Sequence, residues 1–186
     1  AELHAVSAPH AGDGTFRYPG LCRNLTPAEA EEKSRTRRPS LRFRAPDDTV
    51  TFEDLYCGPQ NINVQSTFGD FIVRRSDGIY AYQLAVVIDD ALMGVTEVIR
   101  GRDLLSSSAP QLYLYRLLGF KPPQFGHLPL LTAPDGRRLA KRDMDLDMGA
   151  LRSRYTPEEV IGRLAFLAGL IDKEEPVKGA ELLPLF

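Results

Sequence analysis

Tryptophan is absent from the 186 residues, and cysteine, methionine and histidine number only two, three and three. Two cysteines cannot build a disulfide framework, so the chain depends on a buried core, and a reducing cytoplasm is the compartment such usage predicts. Cys22 and Cys57 form no Cys-x-x-Cys pair and the histidines are scattered, so no self-contained metal-ligand set is written in the sequence. Long apolar runs are missing as well. Leu84–Ile88 is typical of those present and falls far short of the roughly 20 residues of a membrane-spanning helix. Also absent are the Gly-x4-Gly-Lys-Ser/Thr phosphate loop, the Gly-x-Gly-x-x-Gly fingerprint and a nucleophile elbow. A net charge of -2 supplies no global field for nucleic acid and leaves only a local basic face as a means of binding it.

What is present reads as a globular α/β chain without an evident linker, its hydrophobic content being 43%. The first 24 residues, rich in Gly, Pro and His, predict irregular structure. Thr26, Pro27 and Glu29 then make a capping box with proline at the first helical position. Lys33, Arg35, Arg37, Arg38, Arg42 and Arg44 follow closely, and the alternation Leu41-Arg42-Phe43-Arg44 predicts a strand with one wet face. Such a cluster is either a solvated face or a contact for an RNA backbone. Phe71 and Val73 alternate with polar neighbours before Ser76-Asp77-Gly78, a hairpin signal. Leu84–Ile88 fits a strand or a helix equally well. Gly94–Gly101 predicts a strand, and the next helix is expected to use Ser108 as its cap, to place Leu114, Leu117 and Leu118 on one face and to close at Gly119. A second strand is expected over His127–Leu131. Thr156 and Glu159 form another capping box, and Val160, Ile161, Leu164, Leu167, Ala168 and Ile171 make a stripe expected to be core.

In an open α/β sheet, ligands bind beyond the carboxyl ends of the strands, and Arg100 stands at such an end. Its guanidinium fits either a ligand carboxylate or phosphate, or a structural ion pair. Tyr82 alone suggests a packed ring with its hydroxyl at a rim. Arg137–Arg142 is a basic loop suited to phosphate or simply to solvent.

The string from Tyr80 through Asp89-Asp90-Ala91-Leu92-Met93-Gly94 to Arg100-Gly101 resembles the glutamyl-tRNA synthetase family, and Arg138-Leu139-Ala140-Lys141-Arg142 resembles its KMSKS-type loop. Tyr18-Pro19-Gly20-Leu21-Cys22-Arg23, Gly58-Pro59-Gln60, Gly69–Arg75, Arg100–Leu105 and Leu167–Ile171 are similar to the family's short branch, which charges queuosine in tRNA(Asp). The resemblance implies an α/β fold: the later part of a class I, Rossmann-type catalytic domain, with the KMSKS-loop region and C-terminal helices. It implies four stretches: 1–24 from a zinc-binding insertion, 25–68 from a connecting, acceptor-type insertion, 69–143 from the second half of the catalytic domain, and 144–186 helical.

By the same resemblance, Tyr82 and Arg100 hold glutamate, Lys141 acts on the ATP phosphates as the catalytic lysine, and Asp103 lies near the ATP ribose. Mg accompanies ATP. Tyr18 and Cys22 match half of the family's zinc site, whose remaining cysteines have no counterpart here. The implied partners are glutamate, ATP and queuosine-bearing tRNA(Asp), with no membrane, for a monomeric cytoplasmic ligase. Three departures stand out: Ala140 replaces serine and Arg138 replaces lysine in the loop, and the HIGH motif has no match in these residues. The isolated segment is therefore expected to be inactive. An ordinary glutamyl-tRNA synthetase, or a non-catalytic tRNA-binding module carried by the basic cluster, are the alternatives.

Overall fold

The computed structural model describes residues 18–132 and 148–185, which fall into two compact units, Ala1–Leu130 and Leu131–Phe186. In the first unit, helix α1 (Pro27–Thr36) begins as its capping box dictates, with Thr26 and Glu29 exchanging hydrogen bonds. It buries no residue and is a solvated helix. Strand β1 (Leu41–Phe43) pairs antiparallel with β4 (Phe71–Arg74) in a two-stranded ribbon. After β4 the hairpin signal yields only a turn: the chain returns for one bridge, Arg74 to Tyr80, and then enters a helix.

That helix, α3 (Tyr82–Met93), settles the ambiguous apolar run. Gly94 at φ 69° caps it in the left-handed conformation, its amide bonding to the carbonyls of Ala91 and Asp90. A short helix α2 (Val64–Thr67) precedes β4. Helix α4 (Leu105–Leu118) ends at Gly119 as expected but does not begin at Ser108. A 3-10 turn over Arg102–Leu104 feeds directly into it without a side-chain cap, which places Ser108 inside the helix, fully buried. Of the expected apolar face, Leu114 is buried, whereas Leu117 and Leu118 are exposed. The core of this part joins Phe71, Val87, Leu114 and Tyr115, with the Phe43 and Phe71 rings 5.1 Å apart. The Tyr115 hydroxyl is buried with no hydrogen-bond partner among the described residues, and desolvation pushes its pKa up to about 12.

The main sheet has, in order, the strands Gly58–Asn63 (β3), Thr49–Asp54 (β2), Gln124–Leu128 (β6) and Glu97–Gly101 (β5). Strands β2 and β3 form an antiparallel hairpin; β5 and β6 run parallel and are connected through α4. This strand-helix-strand unit is the one read from the sequence, although β6 begins before His127. Register explains the shift: Gln124 pairs with Glu97 and His127 with Arg100, so the ladder starts immediately after Pro123. Strand β2 meets β6 at one pair only, Asp54 with Phe125, where the two strands run parallel.

The second unit contains α5 (Met148–Arg154), α6 (Pro157–Leu167) and α7 (Gly179–Leu182). The Thr156–Glu159 capping box forms. The expected core stripe of α6 forms only in part: Val160, Ile161 and Ile171 are half-buried, Leu164, Leu167 and Ala168 are exposed, and the fully buried positions are Gly162 and Ala165. The reason is close backbone packing. The chain at Glu175 and Pro176 lies so near Gly162 that a Cβ there would be 1.8 Å from the Glu175 carbonyl oxygen, and small residues face this crossing.

Candidate functional site

The last residue of β2, Asp54, is 1% exposed, yet its carboxylate is fully engaged. Its Oδ1 accepts the amides of Tyr56, Cys57 and His127 at 3.1, 2.9 and 3.1 Å, and its Oδ2 lies 2.6 Å from His127 Nδ1. Desolvation raises the carboxyl pKa, but these four bonds outweigh it and hold the group at about 2, below its ordinary 3.8. His127, itself 1% exposed, is pushed down chiefly by burial, against the pull of Asp54.

Both depressions have the same consequence for stability, because the unfolded chain takes up protons that the folded chain refuses. The contribution of Asp54 is complete above pH 3.8 and is lost as pH falls toward about 2; that of His127 begins to decline below 6.5. The denaturant midpoint is therefore expected to fall with pH across this acid range. A midpoint independent of pH below about 4 would contradict the Asp54 geometry.

On the other side of the imidazole stands Arg100, in register with His127 across the parallel ladder. Its Nε donates to His127 Nε2 at 2.9 Å, Nη1 to Gln111 Oε1 at 3.0 Å, and Nη2 to Ser108 Oγ at 2.9 Å and the Leu104 carbonyl at 3.4 Å. The network extends inward as Gln111 Nε2 donates to Gln83 Oε1 and Gln83 Nε2 to Ser107 Oγ. Beneath the guanidinium, at 4.9 Å, lies the Phe125 ring. Burial lowers the Arg100 pKa, and the hydroxyl of Tyr82 is a hydrogen-bonding neighbour that raises it. The structure thus brings together Tyr82 and Arg100, two residues the sequence singled out separately.

Every group that fixes Arg100 is neutral, and among the described residues no carboxylate lies within ion-pair distance of it. The sequence left a ligand and a structural ion pair open; no such pair forms among the described residues. The nearest negative charges acting on the guanidinium, those of Asp90 and Asp54, raise its pKa without forming an ion pair with it.

Asp103 is buried in the 3-10 turn after β5, its carboxylate folded over Gly101, where a Cβ would meet Asp103 Oδ1 at 2.5 Å. It therefore sits beside the Arg100 end of the strand. Lys141, with Arg138 and Ala140 of the basic loop, lies outside the described residues. Tyr18 and Cys22 are adjacent, the Tyr18 hydroxyl accepting the Cys22 amide at 2.8 Å. They supply two of the four donors that a tetrahedral zinc site takes, and no group of three or more His, Cys, Asp or Glu gathers among the described residues. The Tyr18 ring instead carries the Arg42 guanidinium at 3.8 Å. Elsewhere in the basic cluster Arg35 pairs with Glu31 and Arg44 bonds Asn24, while Lys33, Arg37 and Arg38 are exposed.

Sequence reasoning missed Asp54, His127, Gln111 and Ser108 as site residues. Asp54 and His127 are separated by 73 positions, and no spacing rule reaches across that distance. No local signal pointed to His127 either: the strand expected over His127–Leu131 put it at the strand's start, while Arg100 was read at the end of its own strand.

Comparison with known proteins adds an independent line of support. The family described as tRNA synthetases class I (E and Q), catalytic domain, matches residues 6–178. A glutamyl-Q tRNA(Asp) synthetase of Symbiobacterium thermophilum is 52% identical over 191 residues, an alignment covering 100% of this chain and 58% of the relative. A glutamate-tRNA ligase of Sulfurihydrogenibium sp. is 44% identical over 161 residues, covering 86% of this chain and 34% of the relative. The solved structure of a glutamate tRNA ligase from Elizabethkingia meningosepticum, in complex with its amino acid, aligns with a TM-score of 0.70 at 28% identity, covering 92% of this chain and 39% of that one. The chain spans about half the length of the curated relatives it matches.

Proposed function

Since the chain belongs to the class I tRNA synthetases for glutamate and glutamine, we propose that its protein activates glutamate with ATP and transfers it to the queuosine base of tRNA(Asp). The observation that carries the glutamate reading is Arg100: a half-buried guanidinium at the carboxyl end of a parallel strand, fixed by neutral groups and lacking a carboxylate partner among the described residues. A guanidinium only donates, so it favours a carboxylate over the amide of glutamine, which offers one acceptor and a donor. Tyr82 adds a hydroxyl beside the same guanidinium. The queuosine branch is supported by identities of 44 to 52% to its members, against 39 to 44% to ordinary ligases.

In this reading an oxygen of the glutamate α-carboxylate attacks the α-phosphorus of ATP, the bond to the bridging oxygen breaks and pyrophosphate departs with its electrons. A hydroxyl of the queuosine cyclopentene ring then attacks the acyl carbon, and AMP leaves. The protein's contribution is to position the reactants and to stabilise charge. Arg100 and Tyr82 orient glutamate, Lys141 neutralises the phosphates, and Asp103 lies toward the ribose. Mg would travel with the nucleotide.

The test is pyrophosphate exchange by the full-length protein that carries this segment. Exchange dependent on glutamate, silent with glutamine and independent of tRNA is expected, followed by transfer to queuosine-containing tRNA(Asp). Charging confined to tRNA(Glu) would replace the acceptor in this proposal with that of an ordinary ligase.

A further inference from the structure

The imidazole of His127 lies between a carboxylate and a guanidinium, and the hydrogen-bond directions leave it one consistent state. Oδ1 of Asp54 is occupied by three backbone amides, so Oδ2 is the acceptor facing Nδ1, and a 2.6 Å contact there requires the proton to be on Nδ1. Arg100 Nε carries a hydrogen and cannot accept, so His127 Nε2 must be bare to receive it at 2.9 Å. Ser108 Oγ, 3.4 Å from the same Nε2, also accepts from Arg100 Nη2 and so couples the two. Gln111 is oriented in the same way, because its amide nitrogen is committed to Gln83 and its oxygen is left for Nη1.

We propose that Asp54 and His127 are positioning residues for Arg100: the carboxylate fixes the His127 proton on Nδ1, and the bare Nε2 then sets the guanidinium plane that receives the substrate carboxylate. The substrate half of this statement rests on the glutamate reading above, whereas the tautomer does not. The ionisable groups that face His127 are Asp54 from β2, Cys57 just after it, Arg100 from β5 and Asp103 from the turn before α4. Protonating Nε2 turns an acceptor into a donor directed at another donor and places a second cation beside Arg100. Glutamate affinity falls on acidification, at a pH below the ordinary imidazole range because burial lowers the His127 pKa.

Two readouts separate the parts. In the chain labelled with 15N-histidine, long-range proton–nitrogen correlation is expected to show His127 with a protonated Nδ1 and a bare Nε2; the opposite tautomer overturns the proposal. In the full-length protein, Asp54→Asn offers an amide donor to Nδ1 and drives the proton to Nε2, so glutamate titration at neutral pH is expected to show about ten- to hundredfold weaker binding. His127→Gln restores an acceptor near the Nε2 position and is expected to stay within about threefold of the parent while losing the decline at acid pH. Wild-type affinity in Asp54→Asn, or retention of the acid decline in His127→Gln, counts against the relay. Should Arg100→Lys bind glutamate as the parent does, the glutamate reading falls, and the tautomer measurement still judges the relay.

Discussion

Arg100→Lys is expected to weaken glutamate binding by the full-length protein by about 3 kcal/mol, roughly a hundredfold, with the fold retained. The substitution keeps the charge and removes the fork. Arg100 Nε, Nη1 and Nη2 each have a separate neutral acceptor, at 2.9 to 3.0 Å, so the plane of the guanidinium is fixed before any ligand arrives. An ammonium has one nitrogen and three hydrogens, so it cannot hold His127, Gln111 and Ser108 and also donate to a carboxylate. The three acceptors left without Arg100 lower stability modestly, because Ser108 and His127 still face one another at 3.4 Å. Equilibrium titration with glutamate and with glutamine decides the matter. If the lysine variant keeps both its affinity and its preference for glutamate, Arg100 acts as a diffuse positive charge and the fork argument fails.

Gly162→Ala is the second large effect, and its sign is opposite to that of helix propensity. In an exposed helix interior alanine is favoured over glycine by about 1 kcal/mol. Here the added carbon would stand 1.8 Å from the Glu175 carbonyl oxygen, 2.8 Å from the Glu175 carbonyl carbon and 3.3 Å from Pro176 Cα, all backbone atoms with no rotamer to yield. The crossing segment has to move, which also endangers the bond from the Val177 amide to the Glu158 carbonyl at 3.0 Å. A net destabilisation of about 1–3 kcal/mol is expected. Denaturant unfolding of the second unit measures it, and an alanine variant more stable than the parent would show that this crossing is not as close as the structure places it.

The helix signals legible in the sequence were those written in adjacent residues. Thr26 with Glu29, Thr156 with Glu159 and the glycine after Leu118 carry their own chemistry, and each acts where it was read. Ser108 misled because a serine before an apolar run resembles a cap, whereas its hydroxyl is taken by the distant Arg100. The α6 stripe misled for another reason: periodicity identifies an apolar face but not which face packs, and a backbone crossing at Gly162 favours the small residues. Leu164 and Leu167 of the stripe are thereby left exposed, while Val160, Ile161 and Ile171 are half-buried. In the site, Arg100 was visible from its position at a strand end, but the groups that orient it were not. His127 and Asp54 come from strands β6 and β2, and their association is a property of the sheet order.

The single ladder contact between β2 and β6 has one further consequence. Beyond Asp54 and Phe125 the two strands no longer pair, and the His127 amide finds its acceptor in the Asp54 side chain rather than in a backbone carbonyl. The amides of Tyr56 and Cys57 end on the same oxygen. Three exchangeable hydrogens thus share one lock, and solvent deuterium reaches all of them through the same opening, the departure of a single carboxylate.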